Sequence, residues 1–189
     1  MRYEKGHKSN TRQRILETAA TEFRKQGIDG ISVATLMGKT GLTHGGFYSH
    51  FKSKEELVQE SLQIAFPQYD IRQFRTDANA LEKMIRHYLG TGHRDHPERG
   101  CAIAGFIGDM PRRIGTTRTK FSAKINGLVE LMEEGLPEEI QGEARKKIAT
   151  GIAAIILGTL QLARATTNPK RSDEILEAGI ETALALAKA

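Results

Sequence analysis

Four side chains able to do metal or thiol chemistry fall within fifteen residues: His87, His93, His96 and Cys101. A soft thiolate with imidazoles is a ligand set for zinc or copper. The spacing H-x5-H-x2-H-x4-C matches no standard site, and Gly92, Pro97 and Gly100 give the segment the composition of a solvent-exposed loop. No metal and no cofactor are expected. Cys101 opens a short apolar run, CAIAGFIGDM, where cysteine serves as a small hydrophobe; a nucleophilic or redox-sensing thiol is the alternative. No Asp/His/Ser order and no carboxylate pair points to an enzyme. A second cluster is THGGFYSHF, Thr43 to Phe51, with two adjacent glycines, two histidines and three aromatics. His44 and His50 are six residues apart and do not share a helical face as i, i+4 zinc ligands would. Glycine runs also cradle phosphates, but neither G-x-x-x-x-G-K-[ST] nor a strand-first G-x-G-x-x-G occurs.

The elements that must position these residues read as helix after helix. Proline is rare, and no stretch alternates in the manner of strands. In TRQRILETAATEFRKQG the residues Ile15, Leu16, Ala19, Ala20 and Phe23 share one helical face, with Gly27 as a C-terminal stop. Ser32 caps a short helix, VATLMGKT, that turns Val33, Leu36 and Met37 inward. A tight turn at Gly41–Leu42 leads to HGGFYSH, capped by Thr43 and anchored by Phe47 and Phe51. SKEE, with Ser53 and Glu56, has the form of a capping box opening a helix through Leu57, Val58, Ser61, Leu62 and Ala65, ended or kinked by Pro67. Beyond it, Asp77 is expected to cap a helix with Leu81, Met84, Ile85, Tyr88 and Leu89 on one side. Further helices are expected from Thr117 to Glu134, from Pro137 at a first turn to Ala165, and from Ser172 or Asp173 to the end. This defines an all-α chain.

The net charge of +5 is unevenly spread. Residues 1–54 hold ten Lys/Arg and four Asp/Glu (10 − 4 = +6), whereas residues 55–189 hold eighteen and nineteen (18 − 19 = −1). The first third therefore suits an anionic partner. The longest uncharged run, Ile148 to Ala163, is shorter than the ~20 residues that span a bilayer and reads as a buried helix. A single cysteine, no apolar leader and no membrane span together suggest a cytoplasmic protein.

Two short helices joined by a glycine turn behind a supporting helix form a helix-turn-helix, whose second member must be slim enough for the major groove, about 12 Å wide. ISVATLMGKTGLTHGGFYSHFKSKEELV resembles the DNA-binding domain of TetR-type transcriptional regulators, over about residues 11–65. The most specific part is T-x-G-x-F-Y-x-H-F-x-S-K-E-x-L, carried by Thr43, Gly45, Phe47, Tyr48, His50, Phe51, Ser53, Lys54, Glu55 and Leu57. The resemblance implies that Tyr48, Lys54 and Ser32 contact phosphates, that Thr43, His44, Gly45, Gly46 and Ser49 face base edges, and that His50 lies near the DNA backbone. At Gly46 many relatives of that family carry a hydroxyl residue, a potential phosphate or base contact that this sequence replaces with bare backbone.

The expected organisation is a flexible basic tail (1–10), a helix-turn-helix domain (11–52), a connecting helix (53–66) and an effector-binding and dimerisation domain (67–189). The partners expected are double-stranded palindromic operator DNA, a second copy of the chain and a small-molecule effector that releases a repressor. The last two helices carry small residues, Gly151, Ala154, Gly158, Gly179 and Ala183, suited to pairing across a two-fold axis. Candidate pocket residues are Tyr88, Cys101, Phe106, Met110, Phe121 and Gln161. Two other classes stay open: a regulator that senses oxidation or metal through Cys101, and an enzyme with a vestigial DNA-binding domain.

Overall fold

The computed structural model describes residues 5–76 and 79–188. The beginning of the expected basic tail and the cap expected at Asp77 lie outside them. Among the described residues there is no strand. The α-helices are α1 (Lys5–Gln26), α2 (Val33–Lys39), α3 (Lys54–Ala65), α4 (Ala80–Tyr88), α5 (Thr91–Asp95), α6 (Ala102–Phe106), α7 (Gly115–Glu134), α8 (Gly142–Ala165) and α9 (Pro169–Leu186). Short 3-10 turns join several of them, one at His44–Ser49. α1 begins at Lys5, so Lys8, Ser9 and Asn10 are helical and not part of a tail. The chain forms two compact units: residues up to Tyr69 with Pro97–Arg118, and Asp70–His96 with residues from Thr119 on.

In the first unit α1 is the spine. Its residues Ile15, Leu16, Ala19, Ala20 and Phe23 are buried, as the periodicity predicts, and α1 packs against α2, α3 and α6. α3 buries Leu57, Val58, Ser61, Leu62 and Ala65. α1 stops at Gly27, which adopts φ +77°, a conformation that side chains oppose. A Cβ there would also lie 3.3 Å from Asp109 Oδ2. Asp109 occupies that space because its carboxylate accepts the Ile28 N–H at 2.8 Å. The segment 97–118 thus packs with the N-terminal helices, although its sequence places it well inside the chain expected to form the effector domain.

The second unit is built on α8 and α9, with α4 against α9 and α5 against α8. α4 buries Leu81, Met84, Ile85 and Tyr88. Three sequence expectations change here. The segment around His93 is a short helix, α5, and His93 is buried, not solvent-exposed. The long helix begins at Gly142, not at Pro137. Arg145 reaches back to fill the turn before it, donating to the carbonyls of Leu136 (2.9 Å), Pro137 (2.7 Å) and Ile140 (2.7 Å). One guanidinium does there what helix hydrogen bonds would otherwise do. The last helix opens at Pro169 under an Asn168 cap that accepts the Arg171 N–H at 3.1 Å. Ser172 is no cap: it is buried, and its hydroxyl donates to Ala163 O at 2.8 Å.

The small residues of α8 and α9 divide into two sets. A Cβ on Gly179 would sit 2.3 Å from Thr159 Cγ2, and one on Gly151 would sit 2.9 Å from Leu186 Cδ2. Together with the fully buried Ala183, they let α8 and α9 approach each other within one chain. Ala154 and Gly158 are exposed, as is Leu162 at 63%.

Candidate nucleic-acid interface

The helix-turn-helix is fixed by local chemistry. Ser32 Oγ accepts the Thr35 N–H at 3.0 Å and caps α2. α2 ends in the turn at Thr40, with Gly41 at φ +71° and the Leu42 N–H returning to Met37 O at 3.0 Å. The second member is a 3-10 turn, His44–Ser49, where an α-helix was expected. Thr43 precedes it in an extended conformation and its side chain makes no cap bond. The tighter winding is held from inside: Phe47 and Phe51 are buried and stacked with ring centroids 5.5 Å apart. Over the Phe51 ring, at 4.6 Å, sits the Arg12 guanidinium. Arg12 also pairs with both carboxylate oxygens of Glu60 on α3 and donates to His50 O at 3.3 Å. A cation of α1 therefore grips the end of the recognition turn and the connecting helix together.

The outer edge is open. His44 and Ser49 are exposed, and Tyr48 is 65% exposed with its ring edge-on to His44 at 6.0 Å. A Cβ on Gly45 would meet nothing within 4 Å. Ser49 donates its hydroxyl to Gly46 O at 2.7 Å, leaving its lone pairs outward. His50 differs from this group. It is half-buried, its Nδ1 is enclosed without a hydrogen-bond partner, and burial first, then Lys8 and Arg12, lower its pKa from 6.5. A neutral imidazole is favoured there. Lys54 is also drawn into the fold. Its ammonium donates to Ile31 O at 2.8 Å, and burial lowers its pKa. Two of its three donors remain for another acceptor. The capping box is shifted by one residue: Ser53 accepts the Glu56 N–H at 3.1 Å, but Glu56 accepts from the Lys52 N–H.

The six pocket candidates belong to two different units. Cys101, Phe106 and Met110 lie in the first, and Phe106 is a core residue edge-on to Phe23 at 6.5 Å. Tyr88, Phe121 and Gln161 lie in the second; Tyr88 and Phe121 are buried and Gln161 is half-buried. His93 was missed as a core polar group. Its Nδ1 donates to Tyr88 O at 2.7 Å, and its ring is edge-on to that of Tyr88. Burial pushes its pKa down to about 4. Among the described residues no three His, Cys, Asp or Glu side chains gather as a metal site. Arg12, Glu60, Arg113 and Thr117 were also missed. Their partners lie 38 to 84 residues away, beyond any local spacing rule.

An open recognition turn on a buried aromatic pair, behind one spine helix, defines a helix-turn-helix DNA-binding protein. The family model described as bacterial regulatory proteins, tetR family, matches residues 15–61. The transcriptional repressor KstR2 of Mycolicibacterium smegmatis is 36% identical over 140 residues, 69% of this chain and 67% of that one. The chain spans 41% to 43% of the length of the next curated relatives. A TetR-family regulator from Cytophaga hutchinsonii has the same fold, with a TM-score of 0.72 at 23% identity over 95% of this chain and 96% of that one. AibR, solved with isovaleryl coenzyme A and operator DNA, gives 0.65 at 20% identity, covering 91% and 97%. The chain belongs to the TetR family and is a DNA-binding transcriptional regulator.

Proposed function

We propose that the protein is a repressor that binds a palindromic operator as a homodimer and is released by a small molecule. The observation that carries this reading is the bare edge His44–Gly45 beside the exposed Tyr48, anchored by the buried Phe47 and Phe51. Thr43, His44, Gly45, Gly46 and Ser49 face the bases. Tyr48, Ser32 and the two remaining Lys54 donors meet phosphates. His50, neutral and enclosed, supports the turn near the DNA backbone. Dimerisation uses the outer face of α8 and α9, where Ala154, Gly158 and Leu162 are exposed; two recognition turns then read half-sites about 34 Å apart. Residues 67–189 supply the effector response, and Tyr88, Phe121 and Gln161 are the pocket candidates that share one unit. AibR's structure with an acyl coenzyme A and operator DNA supports a ligand-responsive reading. An effector that prefers the non-binding state by about 1.4 kcal/mol weakens operator binding tenfold. Such a protein acts in the cytoplasm, where the DNA is.

The test is binding to a duplex selected from a random library. His44→Ala changes the preferred base at one position, while Lys54→Ala weakens all sequences and lowers the salt slope by about one. If neither variant differs from the parent, the DNA-contact assignment is wrong.

A second reading makes Cys101 a chemical sensor. What favours it is Arg24, 5% exposed, which donates to Gly100 O at 3.2 Å and so brings a cation beside Cys101. A Cys101→Ser protein whose DNA binding still responds to oxidants or metals would remove this reading.

A further inference from the structure

One guanidinium spans the two ends of the helix-turn-helix. Arg113 Nη2 donates to Asp29 at 2.6 Å, and Arg113 Nη1 to Glu55 at 3.4 Å. Asp29 lies three residues before the Ser32 cap, where the chain enters the motif. Glu55 lies two residues after the Ser53 cap, where the chain leaves it. Thr117, 1% exposed and the third residue of α7, donates its hydroxyl to the other oxygen of Glu55. Asp109, a few residues upstream, takes the Ile28 N–H.

The first turn of α3 is thus a hub, each of its three residues tied to a different segment. Lys54 holds the loop before α2 through Ile31 O. Glu55 takes Thr117 and Arg113. Glu56 holds the Lys52 N–H just after the recognition turn. These ties are polar and directional, and most sit at a half-exposed boundary. They contribute little apolar burial, so their worth lies in where they place atoms.

We propose that Arg113 and Thr117 are positioning residues for sequence recognition, which act through Glu55 and Asp29 to fix the recognition turn relative to α2. The inference rests on the protein's being an operator-binding regulator. Neither residue touches DNA in this scheme. With the latch intact, the base-facing edge and the phosphate-facing caps are held in one register, as a selected sequence requires. With it broken, phosphate contacts survive, because they tolerate small displacements, and base contacts do not.

The experiment uses the full chain, a duplex selected from a random library and an unrelated duplex of the same length. Thr117→Val and Arg113→Met each lower affinity for the selected duplex about tenfold, within the usual range of coupling between sites. Affinity for the unrelated duplex and the salt slope stay unchanged. Thr117→Ser restores the parent's behaviour, and Thr117→Val combined with Glu55→Gln is no worse than the stronger single change. Thermal unfolding, run in parallel, identifies a variant that has not folded, and Arg113→Met, which breaks the same latch from its half-exposed side, then carries the test. Equal losses on both duplexes, no loss on either, or strictly additive losses overturn the proposal. A parent protein that prefers no duplex overturns the operator-binding reading itself, and the latch falls with it.

Discussion

Among the described residues, His93 carries a clear pH signature. Burial pushes its pKa from 6.5 down to about 4, against the hydrogen bond to Tyr88 O, which opposes the shift. Between these values the unfolded chain binds a proton that the folded chain does not, so folded stability rises with pH. The contribution is complete above pH 6.5 and lost as pH falls towards 4, about 3 kcal/mol at most over that window. Urea titrations from pH 7 to pH 4 should show this slope in the parent and a flatter one in His93→Gln. The sequence could not announce this. A histidine in GTGHRDHPERG looks like a loop residue until α5 tucks it under Tyr88. The motif THGGFYSHF was legible because its anchors and its exposed edge lie within nine residues. Arg12, whose carboxylate partner Glu60 is 48 residues away, was not.

At the scale of elements, existence was easier to read than boundaries. Periodicity located α1, α3, α4 and α9 because each buries one face. Starts were misread where a side chain does a backbone's work. Pro137 suits the first turn of a helix, yet the Arg145 side chain satisfies the carbonyls of that turn and delays α8 to Gly142. Ser172 suits a cap, yet its hydroxyl is spent on Ala163 in the corner between α8 and α9, and Asn168 caps instead. Asn168→Ala should therefore cost about 1 kcal/mol in chemical denaturation, a cap's usual worth. Ser172→Ala should act differently, by removing the shorter of the two hydrogen bonds to Ala163 O, which keeps only the Thr166 N–H at 3.3 Å, and an acceptor of Arg94. The recognition turn was expected to be α-helical. The stacked Phe47–Phe51 pair, gripped by Arg12, accompanies a 3-10 turn that propensity rules do not foresee in two glycines.

For the whole molecule, the expected division near residue 66 follows the sequence, whereas the compact units follow contacts. Residues 97–118 return to the N-terminal helices because Phe106 meets Phe23 of α1, Asp109 takes the Ile28 N–H just past it, and Arg113 pairs with Asp29 and Glu55. α8 is long and apolar enough to cross a membrane by length and composition, but Ile152, Ile156, Leu157 and Leu160 are buried inside the second unit. Its outer face is the proposed dimer contact. Leu162→Glu, at a position 63% exposed, places a charge there without entering the core. It should leave the helical content unchanged and shift the sedimentation equilibrium towards monomer. A species of unchanged mass would remove α8 from the interface. Gly158→Leu should act in the same direction, since a Cβ there would meet no atom from elsewhere in the chain within 4 Å. Gly179→Leu should instead cost stability, because Thr159 already fills that space.

The empty space over Gly45 has a consequence for how such a regulator could acquire a new target. A Cβ there would meet no atom from elsewhere in the protein within 4 Å, and the backbone is not left-handed. Replacing glycine at a compatible site usually stabilises a chain by about 0.4–1 kcal/mol, by restricting the unfolded state. The fold therefore does not resist a small side chain at this position; under the proposed DNA contacts, only the partner in the groove would. That makes residue 45 a place where target preference can drift without first passing through a less stable protein.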